Sequence, residues 1–343
     1  MTRYVVRRVL QAIPQLIIIS VVLFVLANTM GDPLASFGGR RRIRSEDRAR
    51  LRRKLGLDKP VLVQYVIWLV GNDWMEVDTD GDGTPDEPGT RRGVLRGDFG
   101  RSFMEGRPVS EIIRERLGNT LLLMLTAEAV ILIFSLLIGM YSALRQYSAL
   151  DYVFTTFSFI GYSMPIFWLA LLLMYVFAVN FKKWGLPYFP TVGMYDLAKG
   201  KTVGQVVWHM VLPVATISIM SIANYSRYVR SQMLEVINQD YIRTAYAKGL
   251  PRRMVILGHA LKNASLPLVT LVGLDLPLLM SGAVVTESIF AWPGMGRLFW
   301  DAAKDTDVPV LMGILLIIST LVVVFQIITD VAYTYLDPRI RYD

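Results

Sequence analysis

Six mostly apolar runs of about 20 residues or more recur along the chain, at 9–29, 119–143, 153–180, 207–226, 265–286 and 309–336. That is the length an α-helix needs to cross the hydrocarbon layer of a bilayer, which is roughly 30 Å thick. A soluble chain of 343 residues could bury a sizeable core without repeating such runs. The expected fold is therefore an all-α polytopic membrane protein with six transmembrane helices. The first run follows Arg3, Arg7 and Arg8; it is too long for a signal peptide and no small-residue cleavage site follows, so it reads as a retained anchor.

Lys and Arg in the short connections set the orientation. The amino terminus carries Arg3, Arg7 and Arg8, and the carboxyl terminus Arg339 and Arg341. The connection between the fourth and fifth runs carries Arg227, Arg230, Arg243, Lys248, Arg252, Arg253 and Lys262. Six spans put all three on one side, expected to be the cytoplasm. The opposing loops hold a weaker set: Lys182, Lys183, Lys199, Lys201, Arg297 and Lys304. The formal net charge of +8 is thus spent on topology, and nucleic acid is not an expected partner.

The chain divides into a first transmembrane segment (1–30), a large extracytoplasmic loop region (31–118) and a five-helix region (119–343). In the loop region, Ser45 and the following "EDRARLRRKLG" read as a capped amphipathic helix ending at Gly56. Its basic face is either solvated or set against lipid headgroups. An acidic insert occupies 73–96. Within it Asp78, Asp80, Asp82 and Asp86, with Gly83, fit D-x-D-x-D-G-x-x-D, an oxygen-rich Ca²⁺ spacing. Gly89 stands where an EF-hand would want Glu. Calcium and a plain acidic turn are the two readings of this loop.

Chemistry by the chain itself finds little support. Cysteine is absent, which excludes disulfides, thiolate metal sites and a cysteine nucleophile. The two histidines, His209 and His259, sit at an outer helix start and in a cytoplasmic loop, and Ser163 in "GYSMP" has no base beside it. "YDLAKGKT" (195–202) ends like a phosphate-binding loop but starts with Tyr195 where Gly is needed. Glu128 and Asp275 lie near the middles of their spans. Each is either satisfied by a neighbouring helix or partner subunit, or a polar spot on a pathway through the membrane.

The segment "TAYAKGLPRRMVILGHALKNASLP" (244–267) is neither span nor simple loop. Good helix formers run from Glu235 to Lys248; Gly249 can take a left-handed stop, and Pro251 can open a second helix to about Asn263. Two short helices at a corner either dock on another protein or merely link two spans.

"DYIRTAYAKGL" followed by "HALKNASLP" resembles the cytoplasmic EAA loop of ABC importer permeases, in the dipeptide/oligopeptide/nickel branch. "LGLDKPVLVQYVIWL", "GDFGRSF", "RPVSEIIRERLGNTLLL", "ESIFAWPGMGRL" and the closing "DPRIRYD" are similar to further motifs of that family, in order. Tyr246 departs from its usual Arg, and the acidic insert interrupts the place where the family runs from "WL" to "GDFG". The resemblance implies type I ABC importer permease architecture in the cell (inner) membrane, with both termini cytoplasmic. It implies a cytoplasmic coupling loop at 229–264, in which Asp240, Arg243, Ala245, Lys248, Gly249 and Leu250 of the 235–263 corner meet an ATPase. It also implies a second homologous permease, two cytoplasmic ATPase subunits that hold ATP and Mg, and an extracytoplasmic solute-binding protein. The cargo would be di- or oligopeptide, with nickel chelates or oligosaccharides as alternatives, and the subunit itself no enzyme. A secondary transporter is the competing class.

Overall fold

A computed structural model describes residues 2–29 and 45–336. The arginines at 40–44 and the closing "DPRIRYD", with Arg339 and Arg341, lie outside the described residues. Among the described residues five helices are long and apolar enough to cross a membrane: Val6–Thr29, Val109–Leu144, Ile166–Lys183, Val203–Ile237 and Val308–Ala332. The apolar run at 265–286 falls in the 24-residue helix Leu266–Ile289, about 36 Å long at 1.5 Å per residue. The chain divides into two compact units.

One unit comprises Arg7–Gly118 and Leu298–Leu321. It holds most of α1 (Thr2–Thr29), then α2 (Ser45–Lys54) and α3 (Val61–Val70). A small antiparallel hairpin follows, β1 (Glu76–Val77) and β2 (Glu87–Pro88), which corrects the all-α expectation locally. α2 stops where the sequence places its stop. Gly56 has φ +70°, and Leu57 N–H bonds back to the Arg52 carbonyl at 2.9 Å. A left-handed glycine closing the last turn is the expected cap. The basic face of α2 is neither solvated throughout nor reserved for lipid, because its charges grip the hairpin. Arg50 and Lys54 reach Glu87 at 2.7 and 2.8 Å, and Arg53 donates to the carbonyls of Thr79 and Asp80. Phe24, Tyr65 and Trp68 pack their rings at centroid distances of 5.4 to 6.0 Å at the apolar centre. Asp307, just ahead of α11 (Val308–Leu336), is buried and accepts from the Ser102 hydroxyl and the N–H groups of Phe103 and Met104. This bond set fixes the "GDFGRSF" loop.

The other unit comprises Asn119–Arg297, residues 322–336 and the first few described residues. α4 (Val109–Leu144) enters it at Asn119. The expected span 153–180 is two helices, α5 (Ala149–Ser163) and α6 (Ile166–Lys183), broken at Met164–Pro165. Proline denies its predecessor the helical region, and Met164 is extended at ψ 134°. α7 (Val203–Ile237) continues past its apolar run and ends at Asn238. α8 (Asp240–Ala247), α9 (residues 252–264, with a π-helical middle) and α10 (Leu266–Ile289) follow. Glycine permits close helix contact at two places. A Cβ on Gly139 would lie 2.5 Å from Val229 Cβ, and one on Gly273 would lie 2.0 Å from Thr329 Cγ2. The core runs through Leu123, Met124, Ile131, Tyr225, Val229 and Met233. At its edge the buried Asp151 pairs with Arg230 at 3.2 Å, tying the start of α5 to α7.

Candidate functional site

Helix α8 begins at Asp240 and ends in a glycine stop. Gly249 has φ +76°, its N–H bonds to Tyr246 O at 2.9 Å, and Leu250 N–H reaches Ala245 O at 3.4 Å. These paired bonds close the orphan carbonyls of the last turn, and Pro251 opens α9 in extended geometry at ψ 143°. The helix expected from Glu235 to Lys248 is divided at Asn238 and Gln239, so the corner carries a separate two-turn α8.

Burial sorts the corner's residues by role. Ile242 and Ala245, three apart, are buried in the core of their own unit, as are Val255, Ala260 and Ala264 of α9. Asp240, Arg243, Lys248 and Gly249 point outward, and a Cβ on Gly249 would meet nothing within 4 Å. Ala245, expected to meet the ATPase, is packed inward against the core of its own unit. Leu250 is half-buried against the same core. Three residues that sequence reasoning passed over, Tyr241, Met254 and Leu257, are exposed and complete the outward face with Tyr246, also exposed. The departure to Tyr246 thus lands on the exposed face. Asp240 and Arg243 lie 3.6 Å apart but are almost fully exposed, a geometry in which ion pairs contribute little.

A second constellation lies among α4, α7 and α10. Glu128 is 5% exposed and Tyr225 1%. Neither carboxylate oxygen of Glu128 has a hydrogen-bond partner among the described residues. Asp275 acts electrostatically on both. The two carboxylates that the sequence offered separately are brought together, and Tyr225 joins them. Nothing in "ANYSRY" distinguishes Tyr225 from Tyr228 before the helices are placed.

A third cluster surrounds Glu287 of the "ESIFAWPGMGRL" motif, which is fully buried. It accepts from the Thr120 hydroxyl at 2.7 Å and from Arg297 N–H at 3.1 Å. Asn119 donates to Pro293 O at 2.8 Å, and Trp292 Nε1–H donates to Asn119 O at 3.0 Å. Gly294 makes room: a Cβ there would lie 2.2 Å from the Glu287 carboxylate. The motif is clasped to α4 at Asn119 and Thr120. His209 Nδ1 bonds to Gln205 O within its own helix, and the Ser163 hydroxyl donates to Phe159 O.

In the acidic loop Asp78, Asp80 and Asp82 bring carboxylate oxygens within 4.8 Å of one another. Asp86 is outside this group, held instead by the N–H and hydroxyl of Thr79 at 2.8 and 2.9 Å. The three grouped carboxylates accept backbone N–H groups of Gly81, Gly83, Asp82 and Thr84.

Comparison with known proteins converges on one family. Residues 135–342 match the family described as binding-protein-dependent transport system inner membrane component, and residues 1–124 match its N-terminal counterpart. The oligopeptide transport system permease protein AppB of Bacillus subtilis is 41% identical, over 100% of both chains. A putative peptide permease protein of Brucella suis is 38% identical over 99% of each. The dipeptide transport system permease protein DppB of Escherichia coli K12 is 34% identical over 100% of this chain and 99% of its own.

Proposed function

The chain belongs to the family of binding-protein-dependent transport system inner membrane components, and from that premise we propose how it works in a peptide importer. It is a multi-pass protein of the cell membrane. Full-length similarity to oligopeptide and dipeptide permeases supports di- or oligopeptide cargo for an ATP-driven ABC importer. In this reading the chain performs no hydrolysis. A cytoplasmic pair of ATPase subunits hydrolyses ATP, a homologous second permease completes the pathway, and an extracytoplasmic binding protein delivers the peptide.

The observation that carries the reading is the two-sided corner at Gly249. Ile242, Ala245 and Val255 fasten it to the core, while Tyr241, Tyr246, Met254 and Leu257 stand exposed. Exposed aromatic and aliphatic side chains on a basic helix pair suit a protein groove better than open water. A push on the outward face is passed to the core because the inward face is packed, and packed helices shift as units.

The absence of native cysteine makes a direct test simple. A single Lys248→Cys substitution should be shielded from a thiol reagent in the assembled complex and exposed in the chain alone. Its reactivity should change when ATP binds. Equal reactivity in the chain alone, the complex and the ATP-bound complex would remove the docking role.

A further inference from the structure

The cluster of Glu128, Tyr225 and Asp275 has a property that a structural pair should not have. Glu128 and Tyr225 are buried among membrane-spanning helices and Asp275 is half-buried, yet neither oxygen of the Glu128 carboxylate finds a partner. Unsatisfied polar groups at membrane depth are expensive, and two carboxylates near one another add repulsion. Among the described residues, the charged group acting on Glu128 is Asp275, a second acid. Among the described residues no cation answers these two acids.

We propose that Glu128, Tyr225 and Asp275 form a station for the amino-terminal ammonium group of a peptide in passage; this rests on the peptide-importer reading above. The donor and acceptor count matches. An ammonium carries three N–H donors and no acceptor. The two carboxylates and the tyrosine oxygen supply three acceptors, and they come from three helices, α4, α7 and α10. A hydroxyl suits a transient guest because it turns. It accepts from the ammonium when the peptide is present and donates to a carboxylate when the peptide leaves. One acid alone would hold the charge weakly, and a resident Lys or Arg would fill the site permanently.

The test uses the whole transporter in liposomes, with its ATPases and binding protein, and a dipeptide with a free amino terminus. Glu128→Gln and Asp275→Asn keep the shape and remove the charge. Each should lower ATP-driven uptake about tenfold, the worth of one hydrogen bond to a charged group, with thermal stability and yield of the complex unchanged. Glu128→Asp should restore a large part of the uptake. The N-acetylated dipeptide, where the wild type carries it, should be affected little; where it is not carried, the loss and the rescue decide. Unchanged uptake would overturn the station. So would a clear fall in complex stability, which would assign the acids to a basic side chain of a partner subunit, or an equal loss for both peptides. A wild-type complex that moves no peptide at all would instead sink the importer reading, and the station with it.

Discussion

Thr120 donates its hydroxyl proton to the buried carboxylate of Glu287 at 2.7 Å, while its oxygen accepts the backbone N–H of Met295 at 2.7 Å. One small side chain thus ties α4 to both sides of the "FAWPGM" turn. The turn also holds Ala291 at φ +48°, a conformation that a non-glycine residue adopts only when its surroundings enforce it.

Thr120→Val is nearly isosteric but removes both bonds. Glu287 loses a donor and Met295 N–H its acceptor, at a cost of about 2 kcal/mol. A fall of several degrees in the melting temperature of the purified protein should follow, and Thr120→Ser should recover most of it. A Thr120→Val protein as stable as the wild type would show that the clasp does not hold the turn.

The hairpin on α2 should loosen in acid. The Lys54 hydrogen bond holds the Glu87 carboxyl below its ordinary range, the Thr79 N–H does the same for Asp86, and the Arg96 guanidinium does so for Asp73. Groups depressed in the folded state stabilise it above their unfolded values, about 4 for carboxylates, and lose that contribution as pH falls through the folded values. Amide exchange at residues 76–88, corrected for intrinsic rates, should be protected at pH 6 and progressively lost below about pH 4. Protection that stays constant to pH 2 would mean that these pairs do not hold the hairpin.

Calcium binding by the outer loop now takes a narrower form. We propose Asp78, Asp80 and Asp82 as the carboxylate ligands, with Asp86 left on Thr79. Calorimetric titration should then show binding in the millimolar range that Asp80→Asn removes and Asp86→Asn largely preserves. A flat titration of the wild type at several millimolar calcium would leave a self-capped acidic turn held by Arg53.

Much of this fold is legible before any coordinates, because apolar length and glycine stops are local properties. The six runs became helices, and Gly56 and Gly249 both took the left-handed stops that their positions require. Apolar length has blind spots. It missed the polar start of α4 at Val109 and fused α5 with α6, although Pro165 marks the break. Partners distant in sequence are not legible at all. Glu87 answers the basic face of α2 from 33 residues beyond Lys54, and Thr120 meets Glu287 across 167 residues. Glu128 and Asp275 were visible as polar residues in apolar spans, but only the packing of α4, α7 and α10 brings them to Tyr225. At the coupling corner the composition was readable and the facing was not. Ala245 looks like a docking residue until its burial is seen.

The most direct measurement is ATP-driven peptide uptake by the reconstituted transporter with two substitutions at Gly249. The left-handed φ of +76° costs a β-branched residue about 1–2 kcal/mol or more, whereas Asn tolerates it, and the open space around Gly249 leaves backbone conformation as the variable. Gly249→Val should insert and assemble normally yet lose about nine-tenths of uptake, the tenfold effect of a barrier shift near 1.4 kcal/mol, while Gly249→Asn should keep most of it. Wild-type uptake by an assembled Gly249→Val transporter would contradict a coupling role for this corner.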